Sequence, residues 1–291
     1  TIKLSVDTEV QFLIREELIK FNEIFRSIGS GAILMDVNNG EILSMVSLPD
    51  FNLNKRISIT DKNYINRITK GVYELGSVFK TFTVAAALNE KLIEPDTEFI
   101  NLEKEIKCGG RPIREYDKEI PENLTVEQIL IRSGNIGSVR IGQMLGIDKL
   151  QKFYIDIGIL NKIDFDIEEV GLPIPFKWGK CKLATVSFGH GITTTPLQLA
   201  KGYSILSNGG FHIKPTLILK NEKHLSEKNK VIEKDVSIKI NNILRQIVTS
   251  AEGTAGLANV SGYEVGGKTG TAQKVIDGKY SKRKINTFAS I

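Results

Sequence analysis

Chemistry based on metals or thiols has little support in this chain, because histidine and cysteine are scarce. The 291 residues include two cysteines, Cys108 and Cys181, and three histidines, His190, His212 and His224. None of their spacings matches a zinc-binding or redox motif. We therefore expect neither a metal nor a cofactor, and the sequence leaves open whether the two cysteines pair.

Long hydrophobic runs and a signal peptide are also missing. No segment reaches the roughly 20 apolar residues that span a bilayer. Any anchor or export signal of the native protein is therefore expected outside these residues. Apolar residues make up 41% of the chain and charged residues 25%, proportions that are typical of a folded domain and exclude general disorder.

Basic residues exceed acidic residues only moderately, and the net charge is +5. The densest basic stretch runs from Lys279 to Lys284. A nucleic-acid interface would need a longer basic face with interleaved aromatic residues. We therefore predict a solvated loop in this stretch and no nucleic-acid partner.

What the chain does contain is a strand signal near each end and a helical middle. Asn38-Asn39-Gly40 lies between two apolar segments, 32–37 and 42–47, which predicts a β-hairpin. Segments 263–265 and 269–276 also have strand patterns. This order predicts an α/β sandwich that is interrupted by a helical insertion.

Capping signals place the helices of the insertion. Thr8 with Gln11 and Thr125 with Gln128 fit the capping box, and Pro196 suits the first position of a helix. The segment 95–124 is predicted to be a long connection. The first predicted helix starts at Thr8. Further predicted helices cover 78–88, 125–132, 135–145, 196–206 and 235–250.

The first of three candidate catalytic strings is Ser77-Val78-Phe79-Lys80, at the start of a predicted helix. This spacing puts Ser77 and Lys80 on one face of the first turn. A serine hydroxyl needs a nearby base to act as a nucleophile. Lys80 can be that base if burial and a second cation, for which Lys268 is the candidate, lower its pKa. A helix cap followed by an ordinary lysine explains this string alone more simply.

The other two strings are Ser133-Gly134-Asn135, between two predicted helices, and Lys268-Thr269-Gly270-Thr271, which follows two glycines in a strand pattern. In the second string, Ser133 could relay a proton and Asn135 could hold a substrate amide. The third string suits a substrate carboxylate, since glycine in a strand often marks a close approach. A pair of helix caps and a bulged strand explain these strings equally well.

The first string is not specific by itself, because Ser281-Lys282-Arg283-Lys284 has the same spacing. That second match lies in a charged stretch without a helix signal, where a lysine stays solvated. The three strings in this order are far more specific. Together they form the signature that class A β-lactamases share with penicillin-binding proteins.

Nearly the whole chain resembles the transpeptidase domain of class B penicillin-binding proteins, and most closely the cell-division branch. Tyr73-Glu74-Leu75-Gly76-Ser77 and Ser187-Phe188-Gly189-His190-Gly191 are similar to further family segments. Asn135 is typical of that branch, and Leu75 stands where the family usually has proline. The resemblance implies a serine β-lactamase-like α/β fold, with an antiparallel sheet flanked by helices and an all-helical subdomain.

The resemblance also implies roles for the three strings. Ser77 would attack the carbonyl between two terminal D-alanines of a peptidoglycan stem peptide while Lys80 takes its proton, and Ser133 would pass a proton to the leaving D-alanine. Backbone N–H groups of Ser77 and Thr271 would form the oxyanion hole. Asn135 would contact the substrate. The carboxylate of the substrate would be held by Lys268, Thr269, Gly270 and Thr271. An amine of a neighbouring stem peptide would then resolve the acyl-enzyme. A β-lactam could bind in place of the first stem peptide.

The same resemblance divides the chain. Residues 1–29 would connect to a membrane-spanning helix and a further domain, and residues 30–291 would form the transpeptidase domain, with a helical subdomain over about 77–250. Family members have more strands after the third string, so we expect this domain to be incomplete at its C-terminal end. The implied place is the outer face of a bacterial cell membrane, with divisome membrane proteins as partners.

Three alternative functions remain at this point. A D,D-carboxypeptidase would use the same residues with water as the acceptor. A β-lactamase would need a carboxylate base for deacylation, for which Glu169 lies in the right region without the asparagine that helps to hold a water. A non-enzymatic β-lactam sensor fits less well, because the matched segments are those of the cell-division branch.

Overall fold

The computed structural model describes every residue except 53, 56, 57, 59, 60, 110, 221–229, 277 and 278. Its α-helices are α1 (Thr8–Phe25), α2 (Phe79–Asn89), α3 (Val126–Ile131), α4 (Asn135–Asp156), α5 (Lys180–Val186), α6 (Pro196–Ser207) and α7 (Lys234–Thr249). Its strands are β1 (Ser30–Met35), β2 (Ile42–Leu48), β3 (Glu98–Phe99), β4 (Glu105–Cys108), β5 (Arg111–Arg114), β6 (Leu124–Thr125), β7 (Gly267–Ile276) and β8 (Lys279–Ser290).

Helix α2 is the centre of the main hydrophobic core. Ten of its eleven residues are buried, and Lys80 is among them. Its Phe79 and Phe82 rings meet edge to face with Tyr154 of α4. Helices α3, α4 and α7 surround it. A helix that is apolar on nearly all sides is stable only when it is enclosed in this way.

Two antiparallel hairpins lie against the helices. Strands β1 and β2 pair from Ser30 opposite Leu48, and β7 and β8 pair from Gly267 opposite Ser290. Helix α1 packs on β2, α6 on both β1 and β8, and α7 on β7. The expected α/β class, with antiparallel strands flanked by helices, is confirmed. The division at residue 30 and the subdomain over 77–250 stay predictions.

Most local signals predicted the elements correctly. The 38–40 turn joins β1 to β2, Thr125 caps α3 through a complete capping box, and Pro196 is the first residue of α6. Helix α4 bends at Gly146, which has a φ of 76°. As expected, the first helical segment stops at this glycine, and α4 continues beyond it to Asp156.

Four expectations about local structure are wrong: two helix caps, one strand and one loop. Asp7 caps α1 in place of Thr8, because Gln11 points to β2 and binds Ser44 and the Met45 backbone. Helix α7 starts after Glu233, and Asp235 pairs with a lysine one turn later. Segment 263–265 is not a strand. The basic stretch 279–284 is part of β8 rather than a loop, since its backbone is paired with β7.

The connection over 95–124 contains structure that was not predicted. Strands β4 and β5 form a hairpin, and Cys108 at its tip is bonded to Cys181 of α5. The Cα atoms of the two cysteines are 5.3 Å apart. This disulfide closes a chain segment of 73 residues and fastens the hairpin to the helical core.

Candidate active site

Ser77 lies in a 3-10 turn, Gly76–Val78, that leads directly into α2. Its side chain is half-buried, and Ser77 Oγ makes no hydrogen bond with any residue in the described part of the chain. Tyr203 donates its hydroxyl to the Val78 carbonyl at 2.9 Å and fixes the turn. The N–H groups of a first helical turn have no partner within the helix, so the turn presents free donors and the positive end of α2.

Two glycines let strand β7 approach this turn. A Cβ on Gly76 would lie 2.5 Å from the Thr271 carbonyl oxygen and 3.0 Å from the Thr271 nitrogen. A Cβ on Gly270 would lie inside van der Waals contact with the Leu75 carbonyl oxygen. Glycine has no Cβ and so avoids both clashes. The backbone of Thr271 can therefore lie beside the turn that contains Ser77. The two expected oxyanion donors are therefore neighbours.

Ser133 has a backbone conformation that is unusual for serine. Its φ is 62°, in the left-handed region. The N–H groups of Ser133 and Gly134 bond to the Leu130 and Ile129 carbonyls at 3.2 and 2.8 Å, which is the hydrogen-bond pattern of a Schellman cap. Glycine is the usual residue at that position, because a side chain there costs about 1 kcal/mol. The cap aims the Ser133 hydroxyl away from α3.

Two buried lysines meet at Ser133. Lys80 Nζ donates to the Ser133 carbonyl and lies 3.1 Å from Ser133 Oγ. Lys268 Nζ is 2.8 Å from the same Oγ and 3.1 Å from the Thr269 carbonyl. Both lysine side chains are fully buried, with 0% exposure. The structure thus joins one residue from each of the three strings through a single hydroxyl.

Burial changes the protonation of both lysines. Desolvation lowers the pKa of Lys80 to about 7, although the nearby Glu115 carboxylate opposes this shift. Desolvation, together with the charge of Lys80, lowers the pKa of Lys268 well below its usual value. We expected burial and a second cation together to lower the pKa of Lys80. Burial does lower it, whereas the repulsion between the two lysines lowers the pKa of Lys268 instead.

Asn135 and Glu115 lie together at the start of α4. Asn135 donates its side-chain amide to the Arg114 carbonyl at 2.7 Å. Glu115 accepts the backbone N–H groups of Asn135 at 2.5 Å and Ile136 at 2.8 Å. The sequence reasoning missed Glu115, which precedes the second string by 18 residues and has no motif around it. The glycine pair 109–110, between two short strand-like segments, was the only signal of the hairpin that carries it.

The rest of the third string lines the edge of β7. Thr269 Oγ1 donates to Thr254 Oγ1 at 2.8 Å, and Thr271 Oγ1 donates to Asn286 Oδ1 at 3.2 Å. Thr271 is exposed and Thr269 is half-buried, whereas Gly270 is buried. Two hydroxyls and the buried amine of Lys268 therefore border one open strip of strand, which suits an anionic group.

His190 also adjoins the site and was not predicted to do so. Its ring packs on Phe188 with centroids 4.7 Å apart. Burial, with the charge of Lys80 as a second cause, lowers the pKa of His190 to about 4. His190 is therefore neutral near pH 7.

Glu169, the one candidate for a deacylating base, has a local role. Its side chain is exposed, and it accepts the backbone N–H of Asn66 at 3.3 Å. None of its contacts in the described residues reaches the three strings. Across the same residues, no group of three or more His, Cys, Asp or Glu side chains could hold a metal ion. No helix that the structure describes combines the length and the apolar character needed to cross a membrane.

Comparison with known proteins places this geometry in a family. Residues 30–291 match the model of the penicillin-binding protein transpeptidase domain. The chain is 33% identical over 294 residues to the probable peptidoglycan D,D-transpeptidase FtsI of Caulobacter vibrioides, covering 99% of this chain and 49% of that protein. It is 34% identical over 294 residues to the stage V sporulation protein D of Bacillus subtilis, covering 96% and 45%. The chain thus spans about half the length of these relatives.

A solved structure gives the same result for the fold. The apo TP domain of Burkholderia pseudomallei penicillin-binding protein 3 superposes with a TM-score of 0.87 at 27% identity, covering 99% of this chain and 82% of that one. The order of the three strings, the lysines that meet at Ser133 and these matches agree. The chain belongs to the penicillin-binding protein transpeptidase domain family.

Proposed function

We propose that the chain is the catalytic part of a peptidoglycan D,D-transpeptidase of the cell-division type, which works through an acyl-enzyme on Ser77. The observation that carries the proposal is the pair of fully buried lysines, Lys80 and Lys268, on the hydroxyl of Ser133. Burying a lysine costs free energy of folding, and lysines whose pKa is lowered by burial cluster at functional sites. Named relatives that are peptidoglycan D,D-transpeptidases support the same activity.

Lys80 is the general base for the first step. With a pKa of about 7, a large share of Lys80 is neutral at physiological pH. Its Nζ takes the proton of Ser77 Oγ as that oxygen bonds to the carbonyl carbon between the two terminal D-alanines. The two residues lie on one helical turn, and Ser77 Oγ has no competing hydrogen bond among the described residues. Its nucleophilic lone pair is therefore available.

The turn and strand β7 stabilise the oxyanion. The backbone N–H of Ser77 is a first-turn donor, and the Thr271 nitrogen lies beside the turn because of Gly76 and Gly270. Two such donors contribute several kcal/mol to a tetrahedral intermediate. The substrate carboxylate binds along Thr269, Gly270 and Thr271, next to Lys268.

Ser133 completes the first half of the reaction. The proton on Lys80 Nζ reaches the leaving nitrogen of D-alanine through Ser133 Oγ, which lies 3.1 Å from Lys80 and 2.8 Å from Lys268. Cleavage of the amide bond leaves the acyl group on Ser77 Oγ. An amine of a second stem peptide then attacks this ester, and Lys80 accepts the proton of that amine. The ester bond to Ser77 Oγ breaks as Lys80 returns the proton to that oxygen, which frees the cross-linked peptide and restores Ser77. Asn135 lies at the mouth of this path and contacts the substrate amide.

The disulfide supports a location outside the cytoplasm. A bond such as Cys108–Cys181 persists in oxidising compartments and is rare in the cytosol. We propose that the domain acts on the outer side of a bacterial cell membrane, where stem peptides and β-lactams are found. Divisome membrane proteins are the proposed partners.

The test is covalent labelling by a penicillin. The protein is incubated with a fluorescent penicillin, and both the label and the intact mass are followed over hours. We expect a stable adduct of one penicillin per chain, localised to Ser77 by peptide mapping and absent in Ser77→Ala, whereas Ser281→Ala keeps it. Rapid turnover with release of product would indicate a β-lactamase, and a folded protein without an adduct would contradict the proposal.

A further inference from the structure

A carboxylate outside the three strings holds the second string in place. Glu115 follows β5 and reaches α4 with both of its oxygens, which accept the N–H groups of Asn135 and Ile136. These are the first two helical residues of α4, and Gly134, its N-cap, has no side chain to satisfy them. A residue distant in sequence therefore supplies the cap that the helix itself lacks.

The neighbouring residue makes the grip two-sided. The Arg114 carbonyl accepts the side-chain amide of Asn135 at 2.7 Å, so both the backbone and the side chain of Asn135 are held by the end of β5. The hairpin is anchored in turn by the Cys108–Cys181 bond at its tip. The start of α4 is thus connected to α5 through a short, covalently fastened hairpin.

Ser133 needs such support. A left-handed serine is strained by about 1 kcal/mol and persists only when its surroundings fix it. On one side, Lys80 and Lys268 bind Ser133 itself. On the other side, the next two residues of the chain are the N-cap of α4 and Asn135, which Glu115 holds.

We propose that Glu115 is a positioning residue of the transpeptidase site, which fixes Ser133 and Asn135 from outside and supplies a negative charge near Lys80. The inference rests on the proposed function for its effect on rate, but its geometric part does not. The titratable groups that face Lys80 are Glu115 after β5, Lys268 on β7 and His190 before α6. Of these, Glu115 is the acidic one.

Two substitutions separate the cap from the charge. Glu115→Ala removes both, and we expect the acylation rate with a fluorescent penicillin to fall about tenfold or more. Glu115→Gln keeps an oxygen that accepts one N–H but removes the charge. Because the charge of Glu115 raises the pKa of Lys80, its loss moves the pH midpoint of acylation down by about 0.5 unit or more.

Glu105→Gln is the matched control. Glu105 lies on the same hairpin and pairs with Arg114 Nε at 2.8 Å, and among the described residues it forms no hydrogen bond or ion pair with α4. We expect it to leave both the rate and the midpoint unchanged. Thermal unfolding of each variant checks that the protein is folded, and a purely structural role of Glu115 would lower the rate without moving the midpoint.

A second readout makes the outcome independent of acylation. NMR titration of the lysine ζ-nitrogens follows Lys80 directly, with Lys80→Arg to assign the signal. A lower Lys80 midpoint in Glu115→Gln, but not in Glu105→Gln, supports the inference even if the wild-type protein takes no penicillin, a result that would overturn only the proposed function. Equal midpoints in all three proteins, or an acylation rate of Glu115→Ala within twofold of wild type, would overturn the inference.

Discussion

The chain contains the spacing Ser-x-x-Lys twice, in opposite environments. Ser77 and Lys80 lie on the first turn leading into α2, and Lys80 has no exposure at all. Ser281 and Lys284 lie on strand β8, and Lys284 is exposed, with its Nζ 5.9 Å over the ring of Tyr116. In a helix, residues three apart share a face, whereas in an extended strand they do not.

The Ser-x-x-Lys spacing provides a nucleophile and a base only where the lysine is buried. A serine becomes a nucleophile only beside a base that is neutral at working pH. Burial on all sides of α2 creates such a base at Lys80, and its partner hydroxyl at Ser133 keeps the buried amine hydrogen-bonded. Lys284 is exposed to water, so its amine is not desolvated and is not held by a buried hydroxyl. Substitutions made in parallel at the two sites should therefore separate strongly.

The largest difference is expected from removal of each lysine. Lys80→Ala removes the general base, a contribution of about 10²- to 10⁴-fold in comparable reactions, so we expect the penicillin acylation rate to fall by that range. Lys284→Ala should stay within about twofold of wild type. Stopped-flow or gel-based labelling rates at one pH are sufficient. Similar losses at both sites would mean that charge on this face, and not a base, drives acylation.

The pH dependence gives the next largest effect. Neutral Lys80 is the active form, so the acylation rate should rise about tenfold per pH unit below pH 7, bend at about 7 and stay level above it. Lys284→Ala should follow the same curve. The measurement is the acylation rate from pH 5 to 9 at constant ionic strength. A rate that falls as pH rises through 7 would require a protonated lysine and would contradict this role.

The contrast also explains which features the sequence could predict. The 38–40 hairpin and the cap at Thr125 depend on signals within a few residues, and both were predicted correctly. Glu115 could not be found in this way, because it caps a helix that begins 20 residues later. Nor does a local rule place Ser133 in the left-handed region, where glycine is expected. The strand at 279–284 was missed because its many charges hide the alternation of a β-strand.

The close packing of β7 against the turn at Ser77 can be broken by one methyl group. Gly270→Ala would place its Cβ against the Leu75 carbonyl oxygen, so β7 must move away from the turn and take the Thr271 nitrogen with it. A shift of even part of an ångström in a catalytic group is costly, and we expect acylation to slow about tenfold. Gly256→Ala is the control, since its Cβ would meet no atom of the described residues within 4 Å. Equal rates in the two variants would show that β7 can relax without affecting the oxyanion hole.

The smallest expected effect is on stability, and it has the opposite sign to the effect on activity. The pKa of Lys80 is about 7 in the folded protein and about 10.5 in the unfolded chain. Between these values the unfolded chain binds more protons than the folded protein. The free energy of unfolding therefore rises with pH across this window, and below pH 7 the cost of burying the amine is fully present.

Lys80→Met removes that cost while keeping most of the volume. We expect the variant to be inactive but more stable at pH 7, by about 1–2 kcal/mol, because the lost hydrogen bonds to Ser133 offset part of the gain. The gain should shrink as pH approaches 10. The exposed counterpart, Lys284→Met, should change stability by less than about 0.5 kcal/mol at any pH. Denaturant unfolding at pH 7 and pH 9.5 measures both, and a less stable Lys80→Met at pH 7 would mean that Lys80 is retained for packing as much as for chemistry.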